Sequence, residues 1–548
     1  MPASFLRRVA GPVIAALALP IGASAIELRD EFRTAIEQGV ANGRYQSVAV
    51  GLLDNGEQSQ WLFGAVAPGG AKPTADTVYE IGSTTRCFTG LLLAEALYAG
   101  KIRLDDTLGR IFADIRFADP KLAATTIGEI AAHRAGLPPV ASNLFPRNVD
   151  DPYVAFDAAT LAAWLAHAHV DGAGTYRYSE LGVAVLGEAI ARIYRKDYRS
   201  LMTADVLAPL ALAESGFGNV PHLVDGFRDG KSAPHWQHQA FAPASGLRAS
   251  LSDLMRFAAA TLRPDSSSLR AAILLARQPR AAAGGGETAL AWQIVPVESD
   301  GQKWPLLWQA GITGGFASFV GIRTDKQRAV VLLGNAGIDL STLGLTLIAD
   351  RNAPPAPPKI LPMFAPASLA YAGLYRFDTG GDLLVRATDD GLSMQIGGYV
   401  PQMMSAYDDD AFEIAGASGQ LTFERTDAKV VGAILHRGGT NLHANRLSEG
   451  APTLKRNTSP LDAKELAAYA GDYALSGSAR AHVVVATPGL RAQLTGTAAT
   501  FLQSCAHDLF CDADGTLEIA FTREKGGKAS ALDWRQGVFE ARATRDDW

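Results

Sequence analysis

Tyr79-Glu80-Ile81-Gly82-Ser83-Thr84-Thr85-Arg86-Cys87-Phe88-Thr89-Gly90 runs straight into Leu91-Leu92-Leu93-Ala94-Glu95-Ala96-Leu97-Tyr98-Ala99. A glycine and a serine precede a strongly apolar run of helical composition, which puts Ser83 at the start of a buried helix. There the free backbone N–H groups and the helix dipole favour developing negative charge. Arg86 follows three residues on, so it projects from the same face one turn away. A hydroxyl and a cation on one helical face set up acyl chemistry only if something else accepts the hydroxyl proton.

The 548 residues are too many for one ordinary domain, so two or three are expected. Formal net charge is -6 and no basic run occurs, which argues against a nucleic-acid partner. Arg7-Arg8, the apolar run Val9 to Ile21 and the small residues Ala23-Ser24-Ala25 form a secretory signal over residues 1–25. Pro12 and Pro20 interrupt that run, which is short for a bilayer span. The expectation is a secreted or periplasmic protein with no transmembrane anchor after signal cleavage. Cys505 and Cys511 are close enough in sequence to pair in an oxidising compartment, and Cys87 is left over behind Ser83.

Outward from Ser83, residues 28–42 read as an amphipathic helix, and two strand-like runs flank Asp54-Asn55-Gly56, a hairpin signal. Thr126 to Pro138 reads as one helix, with further helices over 158–169 and 182–195. Ser250-Leu251-Ser252-Asp253 reads as a capping box opening a helix through Phe257. Leu290 to Leu333 is strand-like. Strands, helices and strands again imply an α/β (α+β) unit, an antiparallel sheet with a helical body, over residues 26–352.

Five prolines between Pro354 and Pro362 mark a stiff linker over 353–366. Beyond it Tyr371-Ala372-Gly373-Leu374-Tyr375 recurs as Tyr469-Ala470-Gly471-Asp472-Tyr473, Gly391-Leu392 as Gly489-Leu490, and Phe423-Glu424-Arg425 as Phe521-Thr522-Arg523. The shared offset of 98 residues implies two copies of one small all-β, barrel-like module, over 367–450 and 460–548.

Two further stretches carry chemistry. Gly174-Thr175-Tyr176-Arg177-Tyr178-Ser179-Glu180-Leu181-Gly182 is a loop entering a helix, and Trp308-Gln309-Ala310-Gly311-Ile312-Thr313-Gly314-Gly315-Phe316 is a strand running into a glycine-rich turn. With His133-Arg134-Ala135-Gly136-Leu137-Pro138, Pro209-Leu210-Ala211-Leu212, Ser245-Gly246-Leu247 and Ser252-Asp253-Leu254, the chain resembles the serine beta-lactamase and penicillin-binding-protein superfamily. It is most similar to the class C beta-lactamase, DD-peptidase and esterase branch, over about residues 30 to 350. The trailing modules resemble the lipocalin-like barrels of D-aminopeptidase-type members.

The resemblance makes Ser83 the nucleophile of the S-x-x-K motif and Tyr178 the proton acceptor. It assigns the oxyanion hole to the backbone N–H groups of Ser83 and Ile312. Glu180, Gln309 and Gly311 fall at substrate-binding positions. The chain departs from the family where charge is handled: Arg86 stands for the family lysine, Glu180 for asparagine and Gln309 for lysine or histidine. Arginine cannot usefully be deprotonated in a protein. So either Tyr178 acts as base beside a fixed Arg86 cation, itself held by Glu180, or an Arg86–Glu180 pair marks a site that binds without catalysing. The neutral Gln309 removes an attraction for a substrate carboxylate, which Arg248 or Arg323 would have to replace.

The expected function is therefore an exported serine hydrolase acting through an acyl-enzyme on Ser83. Its substrates would be small-molecule or peptide amides and esters: cell-wall or D-amino-acid peptides, possibly beta-lactams. The alternative is a pseudoenzyme that binds such peptides. No cofactor and no metal are expected; His235 and His238 lack a carboxylate at a recognised spacing and read as surface or loop histidines.

Overall fold

The computed structural model describes residues 26–546, except 142–143, 145–150, 355–360, 362–368, 450–460 and other stretches of up to five residues. The signal expected over 1–25 and most of the proline-rich linker lie outside the described residues. No helix among the described residues is long and apolar enough to cross a membrane.

The first unit is built on an eight-stranded sheet. Its strands run in the spatial order Glu57–Gly64, Ser47–Asp54, Arg328–Gly334, Ala317–Arg323, Gln302–Ile312, Gln293–Ser299, Gly286–Thr288 and Ala281–Ala283. Every neighbouring pair is antiparallel. The Asp54-Asn55-Gly56 hairpin forms as expected, with Asn55 and Gly56 both at positive φ (50° and 100°), as a tight two-residue turn requires.

Side chains alternate between two cores because the strand period is two. Val48, Val50 and Leu52 point to one face, where they meet Phe32 and Ile36 of the Asp30–Ala41 helix and Leu343 and Leu347 of the Ser341–Ile348 helix. Ala49 and Leu53 point to the other face and join the helical body built around Phe88, Leu91 and Leu92. Both faces are covered, which is why the inner strands are apolar at nearly every position.

Three of the helices whose spans differ from expectation show why. The Thr126–Pro138 helix ends at Ala131, because His133 and Gly136 turn to positive φ (55° and 72°) and the backbone beyond serves another loop. The helix expected over 182–195 starts at Glu180 and runs to Tyr194, capped by Ser179, whose Oγ accepts from Gly182 N at 2.8 Å. The Ser250-capped helix runs on to Leu262, and no capping box closes: Asp253 instead accepts from Glu214 N and Ser215 Oγ (2.8 and 2.9 Å).

Beyond the linker stand two closed eight-stranded barrels, Gly373–Glu449 and Gly471–Arg545. Neighbours in sequence are neighbours in space, as in an up-and-down barrel, and apolar side chains fill the interiors. The repeat extends to contacts. Tyr375 Oη donates to Tyr371 O (2.7 Å) and Tyr473 Oη to Tyr469 O (2.6 Å). Arg425 and Arg523 lie over the rings of Tyr371 and Tyr469 and pair with Asp410 and Asp508. Cys511 in the second barrel is disulfide-bonded.

The first barrel touches the first unit where Glu413 pairs with the buried Arg44. The seam there is lined by Ser405 of the barrel and by Phe227, Gly337 and Ile338 of the first unit.

Candidate active site

Ser83 lies half-buried on a single 3-10 turn, Gly82–Thr84, that leads into the Thr85–Tyr98 helix. This helix is buried on nearly every side, as its apolar run requires. The turn is pressed against the end of the Gln302–Ile312 strand. A Cβ on Gly311 would stand 2.0 Å from Ile81 O and 2.6 Å from Ser83 N. Gly82 is at φ 47°, and its Cβ would stand 2.7 Å from Ile312 N. Two glycines thus bring the Ile312 backbone against that of Ser83, the juxtaposition an oxyanion hole needs.

Ser318, on the neighbouring strand opposite Gly311, fixes this contact. Its Oγ donates to Ile81 O at 2.7 Å, which leaves the Thr84 hydroxyl as donor in the 2.7 Å bond to Ser318 Oγ. All three groups are buried. Sequence reasoning missed Ser318, because a lone serine in an apolar strand carries no motif. Thr85 Oγ1 accepts from Leu247 N (3.1 Å), tying in the Ser245-Gly246-Leu247 stretch as well.

Arg86 is 1 % exposed and its guanidinium carbon sits 4.2 Å from the centroid of the Tyr178 ring. Glu180 does not hold it: Glu180 Oε2 accepts from Tyr153 Oη at 2.8 Å. The Arg86–Glu180 pair considered from sequence is replaced by two separate contacts, cation on ring and phenol on carboxylate. Tyr178 Oη and Ser83 Oγ are not hydrogen-bonded to each other, and catalytic bonds of this kind commonly tighten only with substrate in place.

The Tyr178 loop is hung on the backbone that the short 127–131 helix leaves free. Gly174 N donates to Arg134 O, Arg177 N to His133 O, and Glu180 N to Pro139 O (2.7, 2.7 and 2.9 Å). His133 Nδ1 accepts from Ser179 N at 3.3 Å, and its ring lies 5.1 Å from that of Tyr178. Burial, with Arg86 beside it, lowers the His133 pKa to about 3, so the imidazole is neutral and free to accept.

Gln309 is buried, and its Nε2 donates to Ala310 O (3.2 Å). Neither arginine considered as a replacement cation is available. Arg248 is buried and donates to Glu80 Oε1 (3.0 Å) and to Gly218 O. Arg323 pairs with Asp325 at the far end of its strand. His238 lies on a loop, as expected, but not at the surface: it is buried, stacked on Tyr153 at 5.5 Å, and burial lowers its pKa to about 4. His235 Nδ1 lies 3.0 Å from Glu80 Oε1. Burial pushes the Glu80 carboxyl up, but His235 and Arg248 outweigh that and hold it below its ordinary range. No group of three metal-ligating side chains gathers among the described residues.

The beta-lactamase family profile matches residues 32–350, more than half of the chain. The chain belongs to the beta-lactamase family. A second profile, a domain of unknown function (DUF3471), matches residues 455–547, which contain the second barrel. A beta-lactamase of Escherichia coli is 22% identical over 346 residues, 56% of this chain and 89% of that protein. A beta-lactamase of Pseudomonas fluorescens is 23% identical, over 57% of this chain and 94% of its own length. Penicillin-binding protein 4 of Amycolatopsis lactamdurans is 23% identical, covering 57% and 89%. Among solved structures, a class C beta-lactamase from Rhodobacter sphaeroides superposes with a TM-score of 0.50 at 20% identity, over 56% of this chain and 94% of that one. The beta-lactamase-family unit thus has the expected fold and holds Ser83, Arg86, Tyr178 and Ile312 in one region. Glu180 joins them through Tyr178, two residues before it.

Proposed function

We propose that this protein is an exported serine hydrolase of the beta-lactamase family that cleaves amides or esters through an acyl-enzyme on Ser83. The observation that carries this reading is the Tyr178 ring on the Arg86 guanidinium, one helical turn from Ser83. A fixed positive charge against the ring favours a phenolate, and Arg86 cannot itself act as base.

In the acylation step Ser83 Oγ bonds to the substrate carbonyl carbon, and its proton passes to Tyr178 Oη. The oxyanion accepts from the N–H groups of Ser83 and Ile312. The bond to the leaving nitrogen or oxygen then breaks as Tyr178 returns the proton to it. Water repeats the sequence in reverse roles, giving free acid and free Ser83. The disulfide at Cys511 supports an oxidising compartment, in keeping with the N-terminal signal.

Relatives named beta-lactamase and penicillin-binding protein suggest carboxylate-bearing substrates, but Gln309 lacks the cation that would attract them. A penicillin is therefore expected to acylate slowly. Intact-mass spectrometry after incubation with a penicillin and with a fluorophosphonate tests the reading, with Ser83→Ala beside it. A serine-dependent mass increment with the fluorophosphonate is expected. No increment from either reagent on folded protein would leave a binding protein instead.

A further inference from the structure

Two residues before the serine turn stands a buried carboxylate that the acyl-transfer steps do not use. Glu80 is 2 % exposed and closes the Val78–Glu80 strand. One of its oxygens gathers three donors: Oε1 accepts from Arg248 Nη2 (3.0 Å), His235 Nδ1 (3.0 Å) and Trp236 N (3.2 Å). Arg248 lies opposite Glu80 on the paired strand, while His235 and Trp236 come from the loop 234–238. Burial pushes the carboxyl up, and His235, Arg248, His238 and Thr313 together outweigh it. Glu80 Oε2 and Thr313 Oγ1 are buried, and neither bonds to a third group among the described residues.

Thr313 directly follows Ile312 and opens a turn that its own N–H closes, donating to Phe316 O at 2.9 Å. The loop residues that bond to Glu80 also hold this turn. The His235 ring is stacked on Phe316, with centroids 5.6 Å apart and 21° between the planes. Trp236 lies against Gly314, where a Cβ would stand 2.8 Å from the indole nitrogen. Glu80 thus ties the strand that leads into Ser83 to the turn that follows Ile312, with His235 as the link between them.

Resting on the acyl-transfer reading above, we propose that Glu80 and His235 are positioning residues: they clasp the Thr313–Phe316 turn and so hold the Ile312 N–H beside that of Ser83, where the oxyanion forms. A donor fixed before the reaction needs no reorganisation as charge develops. The two residues act through Thr313 and Phe316, not on the substrate.

The test uses the full chain and reads two quantities: hydrogen exchange at the Thr313 amide and the rate at which a fluorophosphonate acylates Ser83. His235→Phe keeps a ring against Phe316 and removes the donor to Glu80. His235→Asn returns an N–H to the place of Nδ1. The His235 side chain is 31 % exposed, so both variants are expected to fold. In His235→Phe the Thr313 amide is expected to lose protection, with the loss confined to the turn, and acylation to slow about ten- to hundredfold, the effect of a misplaced oxyanion donor. His235→Asn is expected to restore both. Unchanged protection and rate in His235→Phe, protection lost evenly over the whole sheet, or no rescue by His235→Asn would overturn the proposal. Exchange is read without any reagent. If wild-type Ser83 is not acylated, the acyl-transfer reading falls, and exchange at Thr313 alone decides whether the clasp holds the turn.

Discussion

With arginine one turn from Ser83, the proposed mechanism assigns the moving of the proton to Tyr178 alone. Tyr178→Phe keeps the ring that covers Arg86 and removes only the oxygen. Acylation by a fluorophosphonate is expected to slow by about 10²- to 10⁴-fold, the usual worth of a positioned base. The melting temperature should stay put, since no described residue bonds to that hydroxyl. Equal rates in the two proteins would rule out the tyrosine as base. At this scale much was legible in the sequence. Ser83, Tyr178, Gly311 and Ile312 stand in short local patterns whose residue types are dictated by close approach or by chemistry. Tyr153 was not legible. It acts on Glu180 from 27 residues away, and nothing near it in sequence announces a partner.

A serine turn, a strand end and the strand beside it form the working element. Ser318 lies 237 residues from Ile81 yet accepts from Thr84 and donates to the Ile81 carbonyl, and all three residues are buried. Removing its hydroxyl takes the acceptor from the buried Thr84 hydroxyl and leaves the Ile81 carbonyl with Thr84 N (3.1 Å) as its donor. Ser318→Ala should therefore destabilise the unit by about 1–3 kcal/mol, read as a lower urea midpoint. Acylation of Ser83 should slow with it, because the turn that carries Ser83 loses its tether. A stable variant with full acylation rate would make Ser318 a bystander. Strand periodicity revealed the strand, but not which of its small residues meets the serine turn, since register between distant segments is a property of the packed sheet. The short helix before His133 was misjudged for a similar reason. Its composition is helical, yet the backbone beyond Ala131 is claimed by the Tyr178 loop.

Acid should weaken the whole beta-lactamase-family unit. His133 and His238 titrate at about 3 and about 4 when folded, against an ordinary 6.5. As pH falls below that ordinary value the unfolded chain takes up protons that the folded chain refuses. Their contribution is intact above about pH 6.5 and declines down to the folded values, by up to about 1.4 kcal/mol per pH unit for each histidine. Glu80, held below its ordinary range, adds in the same direction at lower pH. Urea midpoints at about pH 7.5 and about pH 5 check this; a midpoint that does not move would show that these imidazoles are already charged in the native protein.

The barrels were legible as a pair because duplication writes the same spacing twice, and their shared contacts keep it. Their difference is the more telling. Glu413 sits across from Ser405 in the first barrel and pairs with Arg44 of the neighbouring unit. The equivalent position 98 residues on, across from Gln503, is Cys511, which forms a disulfide. One position serves twice: as a mooring in the copy that meets the beta-lactamase-family unit, and as a covalent brace in the copy that follows.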